Sequence, residues 1–194
     1  MQTLVFSTNN KHKLQEVQAL IGSKFQLKTL EEIGCFDDIP ETGATFEANA
    51  SQKSHYIYER FQLDCFSDDS GLEVDALDKE PGVFSARYSG SRDSEENLQL
   101  VLKNMQGKED RTARFRCMIS LILDGEEHFF EGSVEGEITY TKSGSEGFGY
   151  DPIFKPAGYD KTFSEMSGEE KNKISHRGIA VQKMVTFLKS VTMD

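Results

Sequence analysis

The segment TLVFST, residues 3 to 8, runs straight into KHKLQEVQALI, and no other feature restricts the fold as much. The first stretch has the apolar density of a buried strand. The second places Leu14, Val17, Leu20 and Ile21 at helical spacing. A strand feeding an amphipathic helix opens a βαβ unit, because parallel neighbours need a crossover of that length. A second strand is expected near Phe25 to Leu30. TFEANASQKSHYIYERF then carries Phe46, Ala50, Lys53, Ile57 and Phe61 along one side of a helix, capped by Thr45 or Thr42. LDCFSDD follows as a strand.

SEENLQLVLKNMQG reads as a helix capped by Ser94 and stopped by Gly107. RFRCMISLILDGEEHFFEGSVEGEI reads as two long strands joined at Asp124-Gly125, a hairpin signal. A last helix is expected from about Ser175, with Ala180, Met184, Phe187, Leu188 and Val191 on one side. Early βαβ alternation with a later hairpin points to an α/β fold: a mixed, twisted central sheet with flanking helices.

The 194 residues suffice for one large domain or two small lobes, and no linker, repeat or low-complexity tract divides them. No run approaches the ~18 apolar residues of a membrane span. Met1-Gln2-Thr3-Leu4-Val5-Phe6 lacks the basic start of a signal peptide. Cys35, Cys65 and Cys117 are widely spaced and odd in number, which favours a reducing cytoplasm over a disulfide framework or zinc site. A net charge of −11 disfavours nucleic acid and anionic membranes as partners. A small polyanion remains possible where cations gather locally.

Four segments could form such a place. In STNNKHK, residues 7 to 13, the strand-to-helix junction offers backbone N–H groups, Thr8, Asn9 and Asn10 as caps or donors, and Lys11 and Lys13 as charge. An ordinary βα turn with solvated lysines is the alternative, and the GxxxxGK[ST] pattern is absent. In PETGATFEANASQKS, Glu41 precedes a helix on which Asn49 and Lys53 lie four apart. That face is either buried for a purpose or a solvated polar stripe. Asp68 and Asp69 stand at the end of an apolar strand, and strand ends are where α/β clefts open. Adjacent strand residues point to opposite faces, so both could serve one pocket only if the chain turns, here at Ser70-Gly71. In GFGYDPIF, Gly147 and Gly149 permit close backbone approach, and Phe148 and Tyr150 could stack on a base or simply pack. EEKNKISHRG adds Lys171, His176 and Arg177 as donors. His176 alone of the four histidines stands in a dense polar cluster.

With these segments in order, the chain resembles the inosine triphosphate pyrophosphatase family. The likeness runs through VFSTNNKHKLQEV, ETGATFEANASQKS, SDDSGLEVDAL, PGVFSARYSG, ARFRC, GFGYDPIF and EEKNKISHRG, nearly the whole chain. The resemblance implies two lobes around a nucleotide-binding cleft, a homodimer, and magnesium-dependent hydrolysis of ITP, dITP and XTP to monophosphate and pyrophosphate. It implies that Thr8, Asn9, Asn10, Lys11, His12 and Lys13 wrap the triphosphate, that Lys53 and Arg87 touch phosphate, and that Ser70 contacts substrate. Glu41 and Asp69 would hold magnesium, with Asp69 as proton acceptor. Phe148, Gly149, Tyr150, Asp151, Lys171, His176 and Arg177 would hold base and sugar. Bacterial relatives read T-G-N-x-G-K at the first loop, where this chain has Asn9 and His12 in place of the glycines. Asn9 follows a positive φ more easily than His12 does.

A metal-bound carboxylate has a lowered pKa and accepts a proton poorly, so Asp68 or a metal-bound hydroxide stands beside Asp69 as candidate base. Arg177 aimed at a 6-keto oxygen would accept hypoxanthine and reject adenine. The rival readings are a pyrophosphatase for other modified nucleotides, a phosphatase, and a nucleotide sensor without turnover.

Overall fold

A computed structural model describes residues 2–22 and 25–191. Met1, read above with the first strand, lies outside them. Strands β1 (Gln2–Phe6), β2 (Phe25–Lys28), β3 (Cys65–Val74), β4 (Thr112–Leu123), β5 (Glu126–Ile138) and β6 (Phe154–Pro156) form one six-stranded sheet in the order β2-β1-β3-β4-β5-β6. β1 runs parallel to β2 and β3, while β5 and β6 are antiparallel, so the sheet is mixed as expected. The helices are α1 (Lys11–Ile21), α2 (Phe46–Phe61), α3 (Ser94–Asn104), α4 (Gly168–Ile174) and α5 (His176–Val191). Among the described residues no helix is long and apolar enough to cross a membrane.

The chain divides into two compact units. One comprises the chain up to Asp69, Cys117–Gly132 and the chain from Arg177 onward; the other comprises Ser70–Arg116 and Ser133–His176. In the first unit the strand alternation of period two sorts side chains into two layers. Leu4, Phe6, Phe66, Cys117, Ile119 and Leu121 pack with Val17 and Ile21 of α1 and with Ala180, Met184 and Leu188 of α5. Val5, Cys65 and Ile122 pack on the other side with Ile57 of α2. Because both faces are covered there, the half of β4 from Cys117 to Leu123 reads as a nearly continuous apolar run rather than an alternating one. Phe6 and Phe66 stack across β1 and β3 with ring centroids 4.6 Å apart.

The second unit centres on Phe115. Its ring lies 4.6 Å from Phe154, 5.9 Å from Phe163 and 4.7 Å from His176, and Leu72, Val74, Leu98, Val101 and Met105 complete the core. The hairpin turn at Asp124-Gly125 has φ of 50° and 84°, the left-handed pair that a two-residue connection requires.

Two local expectations are corrected, and one helix is added. β3 does not turn at Ser70-Gly71 but continues to Val74 as extended backbone. The cap of α3 is Asp93, whose side chain accepts from Glu96 N, so Ser94 is the first helical residue. The last helix begins at His176, as expected from about Ser175, and the unanticipated α4 before it ends where Ser175 becomes extended at ψ 156°.

Phe66→Ala removes one ring of a fully buried stack. It is expected to lower unfolding free energy by about 3–5 kcal/mol in urea titration, as for other buried Phe→Ala changes. A loss below about 1 kcal/mol would contradict the packing described.

Candidate active site

β1 ends at Phe6, and the chain turns into α1 through Ser7–Asn10. Thr8 Oγ1 accepts from Asn10 N at 3.1 Å, and Asn10 Oδ1 caps the helix by accepting from His12 N at 3.0 Å and Lys13 N at 3.3 Å. Neither Asn9 nor His12 has positive φ, so this loop needs no glycine at those positions. Asn9, Lys11 and His12 are exposed, whereas Lys13 turns inward.

Lys13 turns inward because Asp68 is there. The Asp68 side chain, 1% exposed, meets Lys13 Nζ at 3.1 Å and Arg177 Nε at 3.1 Å. The opposite edge of the Arg177 guanidinium is paired with Glu16, one turn beyond Lys13 on α1. Burial alone would raise the Asp68 pKa, but Lys13, Arg177 and Lys53 together hold it well below the usual carboxylate range. Arg177 is likewise buried, and Asp68 and Glu16 push its pKa up.

Asp69 faces the other way, as the unbroken strand requires, and meets α2. Asn49 Nδ2 donates to Asp69 Oδ2 at 2.9 Å, while Asn49 Oδ1 accepts from Gly43 N at 2.7 Å, which fixes the orientation of the amide. A Cβ on Gly43 would lie 2.6 Å from Ala48 Cβ, so only glycine lets the loop come this close. Lys53 Nζ donates to Glu41 and to the Asp68 carbonyl at 2.6 Å. Asn49, Lys53 and Ser54 are all buried, so the polar side of α2 is not a solvated stripe.

The two neighbouring acids therefore have opposite electrostatics. Burial pushes the Asp69 carboxyl up, and Glu41 adds to it, against the pull of Lys53, Lys13 and Asn49. Glu41 falls below its ordinary value because Lys53 overcomes its burial. Lys53 is raised despite desolvation, by Asp68, Glu41 and Asp69.

A divalent cation fits the donor set of Glu41 and Asp69. Both offer hard oxygen, both feel the Lys53 charge, and Glu41 raises the Asp69 carboxyl. Among the described residues no group of three or more His, Cys, Asp or Glu could hold an ion. Two carboxylates suit magnesium, which keeps its remaining positions for water and phosphate oxygens.

In the second unit, Lys171 Nζ donates to Asp151 Oδ2 at 2.7 Å, and Asp151 Oδ2 also accepts from Phe148 N at 2.9 Å. Lys171 lies 4.8 Å above the half-exposed Phe148 ring. Gly147 has φ +75°, and a Cβ there would sit 2.2 Å from Asp151 Oδ2. Gly149 has φ 60°. Tyr150 is a core residue whose hydroxyl donates to the Ser85 carbonyl at 2.6 Å, so of the two aromatics only Phe148 presents a face. His176 stacks on Phe115. Arg87 lies 5.5 Å over Phe84, and Ser70 continues β3 beside Asp69. Sequence reasoning passed over Glu16 and Gly43. The i, i+3 relation of Glu16 to Lys13 was the available signal for Glu16.

Fold and cluster together fit the class of α/β proteins that gather buried cations and carboxylates at the start of a βα unit. The sequence matches the Ham1 family over residues 4–187. A dITP/XTP pyrophosphatase from Flavobacterium johnsoniae is 48% identical over 186 residues, covering 95% of this chain and 97% of that protein. One of the same name from Bacillus subtilis is 42% identical over 98% of each. The structure of a Staphylococcus aureus Ham1 protein superposes with a TM-score of 0.90 at 39% identity, covering 98% of this chain and all of that one. A Coxiella burnetii HAM1 protein gives 0.90 at 37% identity over the same shares. The chain belongs to the Ham1 family, which bears out the resemblance drawn from its motifs.

Opposite pKa shifts at adjacent residues predict opposite mutational signs. A depressed carboxyl stabilises the fold above its unfolded pKa of about 3.9, and loses that contribution as pH falls toward its folded value. A raised one is a burden once ionised, as pH climbs through and above the unfolded value. Asp68→Asn is therefore expected to cost about 3–5 kcal/mol at pH 7, as for other broken buried pairs, and to flatten the acid side of the stability profile. Asp69→Asn, in metal-free buffer, should be as stable as the parent or more so. Chemical denaturation at pH 3 to 8 reads both, and equal losses for the two variants would contradict the assignment.

Proposed function

We propose that this protein hydrolyses nonstandard purine nucleoside triphosphates, ITP, dITP and XTP, to the monophosphate and pyrophosphate, clearing them from the nucleotide pool. The names of its relatives support the substrate class. The observation that carries the chemistry is the pair of neighbouring acids with divergent environments, one held ionised by Lys13 and Arg177, the other raised by burial beside Lys53.

Hydrolysis at the α-phosphorus requires a positioned water, neutralisation of the triphosphate and a stabilised pyrophosphate leaving group. Thr8, Asn9, Asn10, Lys11, His12 and Lys13 surround the phosphates, with Lys13 and Lys53 as the principal cations. Magnesium, held by Glu41 and Asp69, would supply further neutralisation along the triphosphate. Asp68 is too acidic to take a proton from water. Asp69, oriented by Asn49 and raised by burial in the metal-free protein, is the proton acceptor we assign, and a cation on its other oxygen would act against that rise. Ser70 and Arg87 are carried forward as substrate contacts.

Base and sugar are assigned to Phe148, Gly149, Tyr150, Asp151, Lys171, His176 and Arg177, with two refinements. Tyr150 supports the loop from the core, and Arg177 is paired with Asp68 as well. The donor we assign to the 6-keto oxygen is Lys171, fixed by Asp151 over the Phe148 face. A buried donor of this kind leaves adenine's amino group opposed by an unpaired N–H, which supports discrimination on the order of 10⁴-fold. We extend the reading to one domain of two lobes, a homodimer, and a reducing cytoplasm. The three buried free cysteines support that compartment, and the net charge of −11 supports the absence of nucleic-acid and membrane partners.

The test is product analysis. dITP with magnesium is expected to give pyrophosphate and monophosphate, far faster than ATP or GTP, and chelation should stop the reaction. Orthophosphate would indicate a phosphatase, and binding without turnover a sensor. Asp69→Asn should lose about 10²–10⁴-fold in kcat, the usual worth of a general base. Near-normal turnover in that variant would remove Asp69 from the chemistry.

A further inference from the structure

We infer that Glu16 is a positioning residue for the phosphate loop, acting through Arg177 and Asp68 on Lys13. The inference rests on the reading of residues 8–13 as that loop. Its observation is a closed circuit of four charges in the first unit. Glu16 pairs with Arg177, Arg177 Nε donates to Asp68 Oδ2 at 3.1 Å, and Asp68 meets Lys13 Nζ at 3.1 Å. Lys13 and Glu16 return the circuit to the same helix, three residues apart on one face.

The circuit solves a problem that Lys13 alone creates. To reach a phosphate, Lys13 must loosen its hold on Asp68, a carboxylate with 1% exposure. A buried charge stripped of its partner is strongly unfavourable. Arg177 remains on Asp68 when Lys13 leaves, provided the guanidinium stays where it is. Glu16 keeps it there by engaging the far edge of the guanidinium and balancing its charge. The same carboxylate anchors α1, whose first turn carries the Asn10 cap and the Lys13 backbone N–H. Without Glu16's charge, the far edge of the Arg177 guanidinium loses this ion pair, and both the seat of α1 and the resting place of Lys13 shift. Lys13 then meets a polyphosphate from the wrong position.

A double-mutant cycle on polyphosphate affinity tests this without relying on turnover. Inorganic tripolyphosphate with magnesium is titrated by calorimetry into the parent, Glu16→Gln, Lys13→Ala and the double variant. Glu16→Gln should weaken binding about tenfold, mid-range for coupled members of one charge network, and should add nothing in the Lys13→Ala background. Glu16→Asp, a smaller perturbation that keeps the charge, should fall between Glu16→Gln and the parent. Unchanged affinity in Glu16→Gln, or the same loss with and without Lys13, would overturn the inference. So would a parent that does not bind tripolyphosphate. A purely architectural Glu16 would lower the thermal midpoint while leaving the coupling at zero. Pyrophosphate release from dITP is a separate measurement: if it failed while the cycle showed coupling, the proposed function would fall and this inference would stand.

Discussion

The structure of the first unit depends on a buried carboxylate that must remain charged. Asp68 sits inside the sheet with two cations on its oxygens and a third, Lys53, on its carbonyl. An ion so placed is tolerable only when its partners are fixed, and fixing them requires three elements: α1 for Lys13, α2 for Lys53, and the first residues of α5 for Arg177. The apolar packing of these helices against β1, β3 and β4 provides the rigidity, and the charges determine which helical faces turn inward. This explains why α2 buries Lys53 in what would otherwise be an apolar stripe, while Asn49 beside it is buried against Asp69.

The strand then separates two kinds of acid within 2 residues. One side of β3 is rich in positive charge and keeps its carboxylate ionised. The other offers an amide, one ammonium group and a second carboxylate, and leaves its acid short of compensation. Enzymes often obtain distinct acid and base behaviour from environment rather than from residue type. Here the distinction comes from the simplest property of a β-strand, the alternation of its side chains.

Much of this was legible in the amino acids, and the exceptions have physical reasons. The bounds of α1 followed from its periodic Leu14, Val17, Leu20 and Ile21, and the hairpin from Asp124-Gly125, because each signal is local. Ser70-Gly71 suggested a turn that the structure does not contain. Serine and glycine favour turns on average, yet β3 runs on past the end of β1 and carries both residues as extended backbone to Val74. The short α4 was missed although Ser167 and Glu170 form a capping box, since a 7-residue helix shows too little periodicity to stand out. The grouping of Lys13, Lys53 and the paired acids was anticipated, whereas the pairing of Arg177 with Asp68 was not. Nothing local announces that an arginine 109 residues from Asp68 will be its counter-ion. That pairing is a property of the packed chain.

The unbroken course of β3 carries a consequence for how this stretch can vary. Inserting or deleting one residue upstream of the two acids, with the strand pairing kept, would reverse which face each carboxylate occupies. Asp68 would lose Lys13 and Arg177 and arrive opposite α2, and one of its neighbours would inherit the guanidinium. Substitutions can be absorbed one at a time; a change in count cannot. The spacing from Cys65 to Asp69 is therefore a reading frame in miniature, held by hydrogen bonds instead of codons.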